Sequence, residues 1–455
     1  MDRNTPSINV DTPGIVAGRL GASDYAQNFC DAHPALTLQQ ALVEAERCYY
    51  CFDAPCTQAC PTSINVPQFI ARIAQGNLRG AAQTILEANA LGGMCARVCP
   101  TETLCESVCV REVKDGKPVE IGALQRYATD ALFAAGGDPL FTRAVPTGKR
   151  VAVVGAGPAG LACAHRLARC GHDVVLFDAR AKLGGLNEYG LASYKTPGGF
   201  AQREIDWLLS IGGIEARCQQ RLGHEISLAG LAAEYDAVFL GLGLAGVNAL
   251  GIPEPELAGV QAAVDFIAQI RQAADPAQVP VGRRVVVIGG GMTAVDAAVQ
   301  ARLLGAREVT LVYRRGPADM PASREEQEWA QKNGVTLRLW AAPKEILGDA
   351  GALTGVRFAV TQTVDGKLVE TGESFVLPAD MVLKAIGQSF VADPVAGALE
   401  LEGGRIRVDA AGRTSHAKVW AGGDCCPGGL DLTVDAVAQG QSAALSIDAE
   451  LRAGA

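Results

Sequence analysis

The sequence predicts an α/β chain in which an N-terminal α-helical, cysteine-rich domain precedes two Rossmann-like dinucleotide-binding domains, the first of them discontinuous. Three observations predict it. Eight of the 14 cysteines fall between Cys48 and Cys109, and none lies between Cys218 and Cys425. Two apolar runs, Val151-Ala-Val-Val and Val285-Val-Val-Ile, each lead into a glycine-rich turn, about 130 residues apart. A last run, Lys418-Val-Trp-Ala, stands near the C-terminus, where it is expected to rejoin the first sheet. At 455 residues the chain is too long for one core. The expected division is 1–145 (helical), 146–255 with 385–455 (first dinucleotide domain) and 256–384 (second).

Bulk properties exclude several classes. A net charge of −9 argues against nucleic acid, whose phosphates demand a basic face. No apolar run approaches the roughly 18–20 residues that span a bilayer. The start, MDRNTPSINVDTPG, lacks a basic segment followed by an apolar one, so no secretory signal is expected. A cytoplasmic chain follows, and in a reducing compartment clustered cysteines mean metal or catalysis rather than disulfides.

The first segment reads as helical because Phe69, Ile70 and Ile73 recur at helical spacing, as do Ala82, Ile85 and Leu86. Its cysteines form two groups: Cys48-x2-Cys51-x4-Cys56-x3-Cys60-Pro61, then Cys95-x3-Cys99-Pro100 and Cys105-x3-Cys109. Soft thiolates hold iron–sulfur clusters four at a time, and the Cys-Pro ending matches the ferredoxin-type run whose fourth cysteine serves the other cluster. Two [4Fe-4S] clusters sharing both segments are expected. Structural zinc usually shows two tidy pairs, which these uneven spacings fit less well.

Gly155-Ala-Gly157-Pro158-Ala159-Gly160 follows a strand and opens a helix. Gly155 permits the tight turn, Gly157 lets the backbone approach a pyrophosphate, and Gly160 lets the helix pack on the strand. Asp178 ends the next strand, at the distance that suits a hydrogen bond to ribose. Gly184-Gly185-Leu186 follows, and Ala421-Gly-Gly423-Asp424 closes the final strand. This pairing resembles the two-dinucleotide-domain flavoprotein family that includes the thioredoxin and glutathione reductases. The resemblance implies FAD at the first site, with Asp424 on the ribityl chain and the helix containing Thr433 pointing at the isoalloxazine. Vicinal Cys425 and Cys426 admit two readings, a redox pair or, more plainly, small residues of a tight turn.

The second fingerprint is Gly289-Gly290-Gly291-Met292-Thr293-Ala294, in which Ala294 replaces the third glycine. The next strand, Val309-Thr-Leu-Val-Tyr, ends in Arg314-Arg315 where an NAD site would carry an acid. Arginines there accommodate a 2′-phosphate and favour NADPH. No Cys-x-x-Cys lies in this domain, and no cysteine pair follows the first fingerprint, so neither disulfide route of those reductases is available. Electrons are expected to leave through the iron–sulfur clusters. Hydride transfer to flavin needs no general base, and no acid–base catalytic residue is assigned.

From about residue 40 onward the chain resembles the glutamate synthase small subunit and the electron-input portion of dihydropyrimidine dehydrogenase. The cysteine groups, Gly-Ala-Gly-Pro-Ala-Gly, Tyr-Arg-Arg, Met-Pro-Ala-Ser-Arg and Ala-Gly-Gly-Asp carry that resemblance. Ile121-Gly-Ala-Leu-Gln125 resembles the dehydrogenase's glutamine-ligand setting, and Gly241-Leu-Gly-Leu244 is closer to the dehydrogenase, whereas Met320-Pro-Ala-Ser-Arg324 resembles the synthase. The dehydrogenase resemblance implies that Cys48, Cys51, Cys56 and Cys109 hold one cluster and Cys60, Cys99, Cys105 and Gln125 the other, with Cys95 a bystander. Read on its own chemistry, Gln125 is an ordinary helix residue. The bacterial dehydrogenase is associated with NADH and Arg314-Arg315 with NADPH, so the nicotinamide is written NAD(P)H. The resemblance further implies a partner: a catalytic large subunit carrying FMN and iron–sulfur clusters. The glutamate synthase large subunit is the alternative, and a redox adaptor without turnover is a third reading.

Overall fold

The structure, a computed structural model, describes residues 9–136 and 139–454. The first eight residues of the start considered above lie outside the described residues. The chain divides into two units. One comprises His33–Glu188, Gly198–Ala245 and the stretch from Phe390 to the C-terminus; the other comprises the chain up to Ala32, Tyr189–Pro197 and Gly246–Ser389. No helix among the described residues is long and apolar enough to cross a membrane.

The first unit opens with short helices. Asn65 caps Val66–Ala74 by accepting from Gln68 N–H, and Asn77 caps Leu78–Ala88 by accepting from Gly80 N–H. These helices bury Phe69, Ile70, Ile73, Ala82, Ile85 and Leu86, the residues whose spacing predicts them. Each large apolar side chain so buried contributes roughly 1.5–3 kcal/mol. The longer helix Ile121–Ala135 completes this core through Ile121, Leu124 and Ala128.

A five-stranded sheet follows in the same unit. Its order is Val419–Ala421, Ala237–Leu240, Arg150–Val154, Asp173–Phe177, Ile214–Arg217, and every neighbouring pair is parallel. The three central strands are nearly continuous apolar runs, as buried parallel strands require. The C-terminal strand returns to this sheet, as expected, and the closing helix Thr433–Ala453 lies on the helix Pro158–Arg169, where a Cβ at Gly440 would meet the Ala159 carbonyl oxygen at 2.1 Å.

The second unit repeats the plan, with Thr336–Arg338, Glu308–Val312, Arg284–Ile288, Met381–Lys384 and Val260–Ala262 in a parallel sheet. Three features go beyond the sequence reading. A long antiparallel meander, Ala341–Asp349, Ala352–Val364 and Lys367–Pro378, is inserted after the strand Thr336–Arg338. Residues 9–32, grouped by the sequence reading with the helical segment, pack here: Ile15–Val16 pairs with Val281–Gly282, and buried Arg19 donates from Nε to Val281 O at 3.0 Å. Tyr189–Pro197 also packs here. Its Lys195 ammonium lies 2.8 Å from both Asp296 and Glu326, and Tyr194 OH donates to Asp296 at 3.2 Å. Burial pulls the Lys195 pKa down, but the two carboxylates outweigh it and hold the ammonium above its usual value.

Candidate functional site

Four candidate sites emerge, three in the first unit and one in the second. The thiol sites come first. Cys48, Cys51, Cys56 and Cys109 line a single cavity, walled by Tyr49, Ile70, Arg111 and Val119. Arg111 lies over the Tyr49 ring at 3.9 Å, and its Nε donates to Arg47 O at 2.7 Å. Cys60, Cys99 and Cys105 form a second group. Cys99 faces Cys60 and Cys105 as well as its neighbour Cys95, and Cys105 feels both Cys60 and Cys56. Gln125 is buried on Ile121–Ala135, and its Nε2 donates to Gly92 O at 2.7 Å. That bond fixes the amide and leaves Oε1 as the atom available to a metal.

The electrostatics suit bound cations. Burial pushes the Cys56 thiol up to about 11 and also raises Cys48 and Cys105, while Cys99 is raised by its bond to Cys95 and by burial. Sulfurs so placed stay thiolates only where a metal centre supplies positive charge. Among the described residues no three His, Cys, Asp or Glu side chains converge on a single-ion position. Four thiolates on one zinc would stand about 3.8 Å apart, given Zn–S bonds of about 2.3 Å. Ligands that each bind their own iron stand wider.

The first dinucleotide cradle is built from glycines that admit no side chain. Gly155 has φ +95°, its N–H donates to Phe177 O at 2.8 Å, and a Cβ there would meet Gly241 O at 2.2 Å. A Cβ on Gly160 would meet Gly155 O at 1.8 Å. Gly157, by contrast, faces open space bounded by Gly185, whose own Cβ would collide with the Gly157 Cα at 2.7 Å. Pro158 and Ala159 open the helix above this gap, presenting its N-terminus to it. Asp178 lies just past the strand; its carboxylate accepts from Ala156 N–H at 2.8 Å and Arg180 N–H at 2.7 Å, and burial raises its pKa against those bonds. Gly423 closes the other side, with a Cβ there 3.0 Å from Ala159 Cβ and its N–H donating to Gln439 Oε1 at 2.8 Å. Asp424 follows it; burial, with Asp431 nearby, raises its carboxyl to about 6. Thr433 begins the closing helix and donates to Asn187 Oδ1 at 2.9 Å. Leu186 is exposed at the rim. Cys425 and Cys426 are buried in the apolar cluster beneath, with Cys425 Sγ 3.4 Å from Gly422 O.

The second cradle has the same construction. Gly289 N–H donates to Val312 O at 3.0 Å, and a Cβ on Gly289 would meet Ala385 O at 2.1 Å. Gly290 is held against the Tyr313 ring, and Gly291 faces open space at the start of Met292–Leu303, whose first residues are Met292 and Thr293. Arg314 and Arg315 follow the next strand, Arg314 exposed and Arg315 half-buried, and among the described residues neither forms an ion pair.

Sequence reasoning missed Glu204. It sits with Phe200, Ala201, Ile205 and Leu208 on the buried face of Phe200–Leu209, so a carboxylate on an apolar face was its signal. It accepts from Gly93 N–H at 2.7 Å and Met94 N–H at 3.2 Å, and burial lifts it to about 8 against those bonds and Arg97.

Comparisons with known proteins agree with this geometry. Residues 149–440 match the pyridine nucleotide-disulphide oxidoreductase family, and residues 25–136 match dihydropyrimidine dehydrogenase domain II, 4Fe-4S cluster. The chain is 36% identical over 423 residues to the NAD-dependent dihydropyrimidine dehydrogenase subunit PreT of Escherichia coli (strain K12), covering 92% of this chain and 97% of that one. It is 34% identical over 442 residues to the glutamate synthase [NADPH] small chain of the same organism, covering 91% and 92%. Among solved structures, Mycobacterium tuberculosis FprA in complex with NADPH shares the fold, with a TM-score of 0.57, 20% identity, and coverage of 67% of this chain and 85% of that one. The chain belongs to the pyridine nucleotide-disulphide oxidoreductase family, and its 4Fe-4S-type segment precedes the two dinucleotide folds.

Proposed function

We propose that this chain is the electron-input subunit of a dihydropyrimidine dehydrogenase acting in pyrimidine catabolism. NAD(P)H would bind at Gly289–Gly291, Met292, Thr293 and the two arginines. FAD would bind at Gly155–Gly160, Asp178, Gly185, Leu186, Gly423, Asp424 and Thr433. When bound, FAD accepts hydride and releases electrons singly, which is what couples a two-electron donor to one-electron clusters. The chain's own part is to hold and orient. Gly157 and Gly185 would leave the backbone bare for a pyrophosphate, Asp178 and Asp424 would accept from hydroxyls, and the half-buried thiols would hold the clusters. Two [4Fe-4S] clusters would lie at the two cysteine groups. The electrons would pass to a partner subunit carrying FMN and further clusters, which reduces uracil or thymine to the 5,6-dihydro form.

The observation that carries this reading is the pairing of both family matches on one chain with similarity along nearly the whole of PreT. The surface around the first cysteine group supports a partner: Phe52 is fully exposed, and Tyr49, Tyr50 and Val113 are exposed nearby in sequence. The glutamate synthase reading has its own support in the 34% identity to that small chain and in Arg314-Arg315.

Separate mixing of the purified chain with each candidate large subunit tests this. NAD(P)H-dependent reduction of uracil is expected with the dehydrogenase subunit. Glutamate formation from glutamine and 2-oxoglutarate with the synthase subunit, and no uracil reduction, overturns it. Anaerobic preparation should yield about eight irons per chain, four per cluster.

A further inference from the structure

The two cysteine groups differ in what touches their sulfurs. In the first, the Tyr50 backbone N–H lies 3.4 Å from Cys48 Sγ. In the second, a side chain does the touching: Thr62 Oγ1 is 3.3 Å from Cys60 Sγ. Thr62 belongs to neither set of four ligands.

The direction of this bond follows from chemistry. A metal-bound thiolate has no proton, so Cys60 would only accept and the Thr62 hydroxyl would donate. Donation to a ligand sulfur favours the more negative, reduced cluster and raises its potential. We propose that Thr62 is a positioning residue for electron transfer, which as a side-chain donor raises the potential of the cluster at Cys60, Cys99 and Cys105 above the value its ligands alone would give. This rests on the two-cluster reading above.

The test is an EPR-monitored redox titration of the full, flavin-loaded chain, with iron analysis. Thr62→Val should shift one cluster to lower potential, with the other cluster and the iron content unchanged. Thr62→Ser, which keeps a donor, should stay nearer the unmodified value. An unmoved potential in Thr62→Val overturns the inference, as does an equal shift in Thr62→Ser. An unmodified chain without clusters overturns the functional reading as well, so the two failures are distinguishable.

Discussion

The two parallel sheets share one design and differ in what they place at the same corner. Each has five strands, each first glycine donates to the neighbouring strand end, and each would collide with a carbonyl if it bore a Cβ. After the second strand of the fingerprint, however, one carries Asp178 and the other Arg314-Arg315. The third fingerprint position differs too: Gly160 has no room for a methyl, while Ala294 already has one. The shared parts suit any dinucleotide, and on the proposed reading the differing parts would choose among dinucleotides.

The largest expected effect breaks the cradle. Gly160→Ala puts a Cβ 1.8 Å from Gly155 O, so the helix must move off the strand. Overpacking of this kind costs about 1–3 kcal/mol or more, and flavin absorbance of the purified chain should be largely lost. Ala294→Gly, the reverse change in the other cradle, should leave flavin content intact.

Next is the charge at the corner. Replacing Arg314 and Arg315 together by alanine would remove the charge-assisted contacts proposed for them to a 2′-phosphate. The KM for NADPH should rise about 10–100-fold, with little change for NADH, in steady-state assays with an artificial acceptor.

A smaller effect is set by pH. Asp424 ionises at about 6 in the free chain, above the ordinary 3.8. As pH falls through 6 the carboxylate is protonated and would no longer accept from the ribityl hydroxyl proposed as its partner. Flavin affinity, read by equilibrium dialysis, should fall by at most about tenfold per pH unit below 6, and Asp424→Asn should flatten the profile. For the flavin-free chain the sign is opposite. Between about 4 and 6 the folded state holds this proton and the unfolded state does not, so this group's contribution to stability falls as pH rises.

The smallest effect separates fold from binding. A Cβ on Gly291 meets nothing within 4 Å. Gly291→Ala should leave the thermal midpoint within a degree or two, since surface changes of this kind stay within about 0.5 kcal/mol, while weakening nicotinamide binding.

The parts of this architecture legible in sequence were those specified by nearest neighbours along the chain. Val151-Ala-Val-Val and Val285-Val-Val-Ile form strands because buried parallel strands need such runs, and the glycines after them have no other use. The closing helix, expected at 432–450, is Thr433–Ala453. What escaped depends on partners far away. Arg19 reads as a surface residue until Val281, 262 positions on, accepts its proton. Lys195 reads as solvated until Asp296 and Glu326 surround it. The meander from Ala341 to Pro378 alternates polar and apolar residues on a half-exposed sheet, a pattern weaker than a buried run. Among the thiols, spacing pointed to two groups, but only the fold brings Cys109 to Cys48 and Cys105 to Cys60.

The pairing of Ile15–Val16 with Val281–Gly282 has a consequence for synthesis. A ribosome adding about 5–20 residues per second takes on the order of 10–50 s to travel from one segment to the other. Throughout that interval the leading segment has no strand to join, and Arg19 has no Val281 carbonyl to bind. The edge of the first sheet, Val419–Ala421, emerges later still. Neither half of this molecule can finish folding before most of the polypeptide has emerged, so chaperones that shield unfinished sheets should hold nascent chains arrested before Val419.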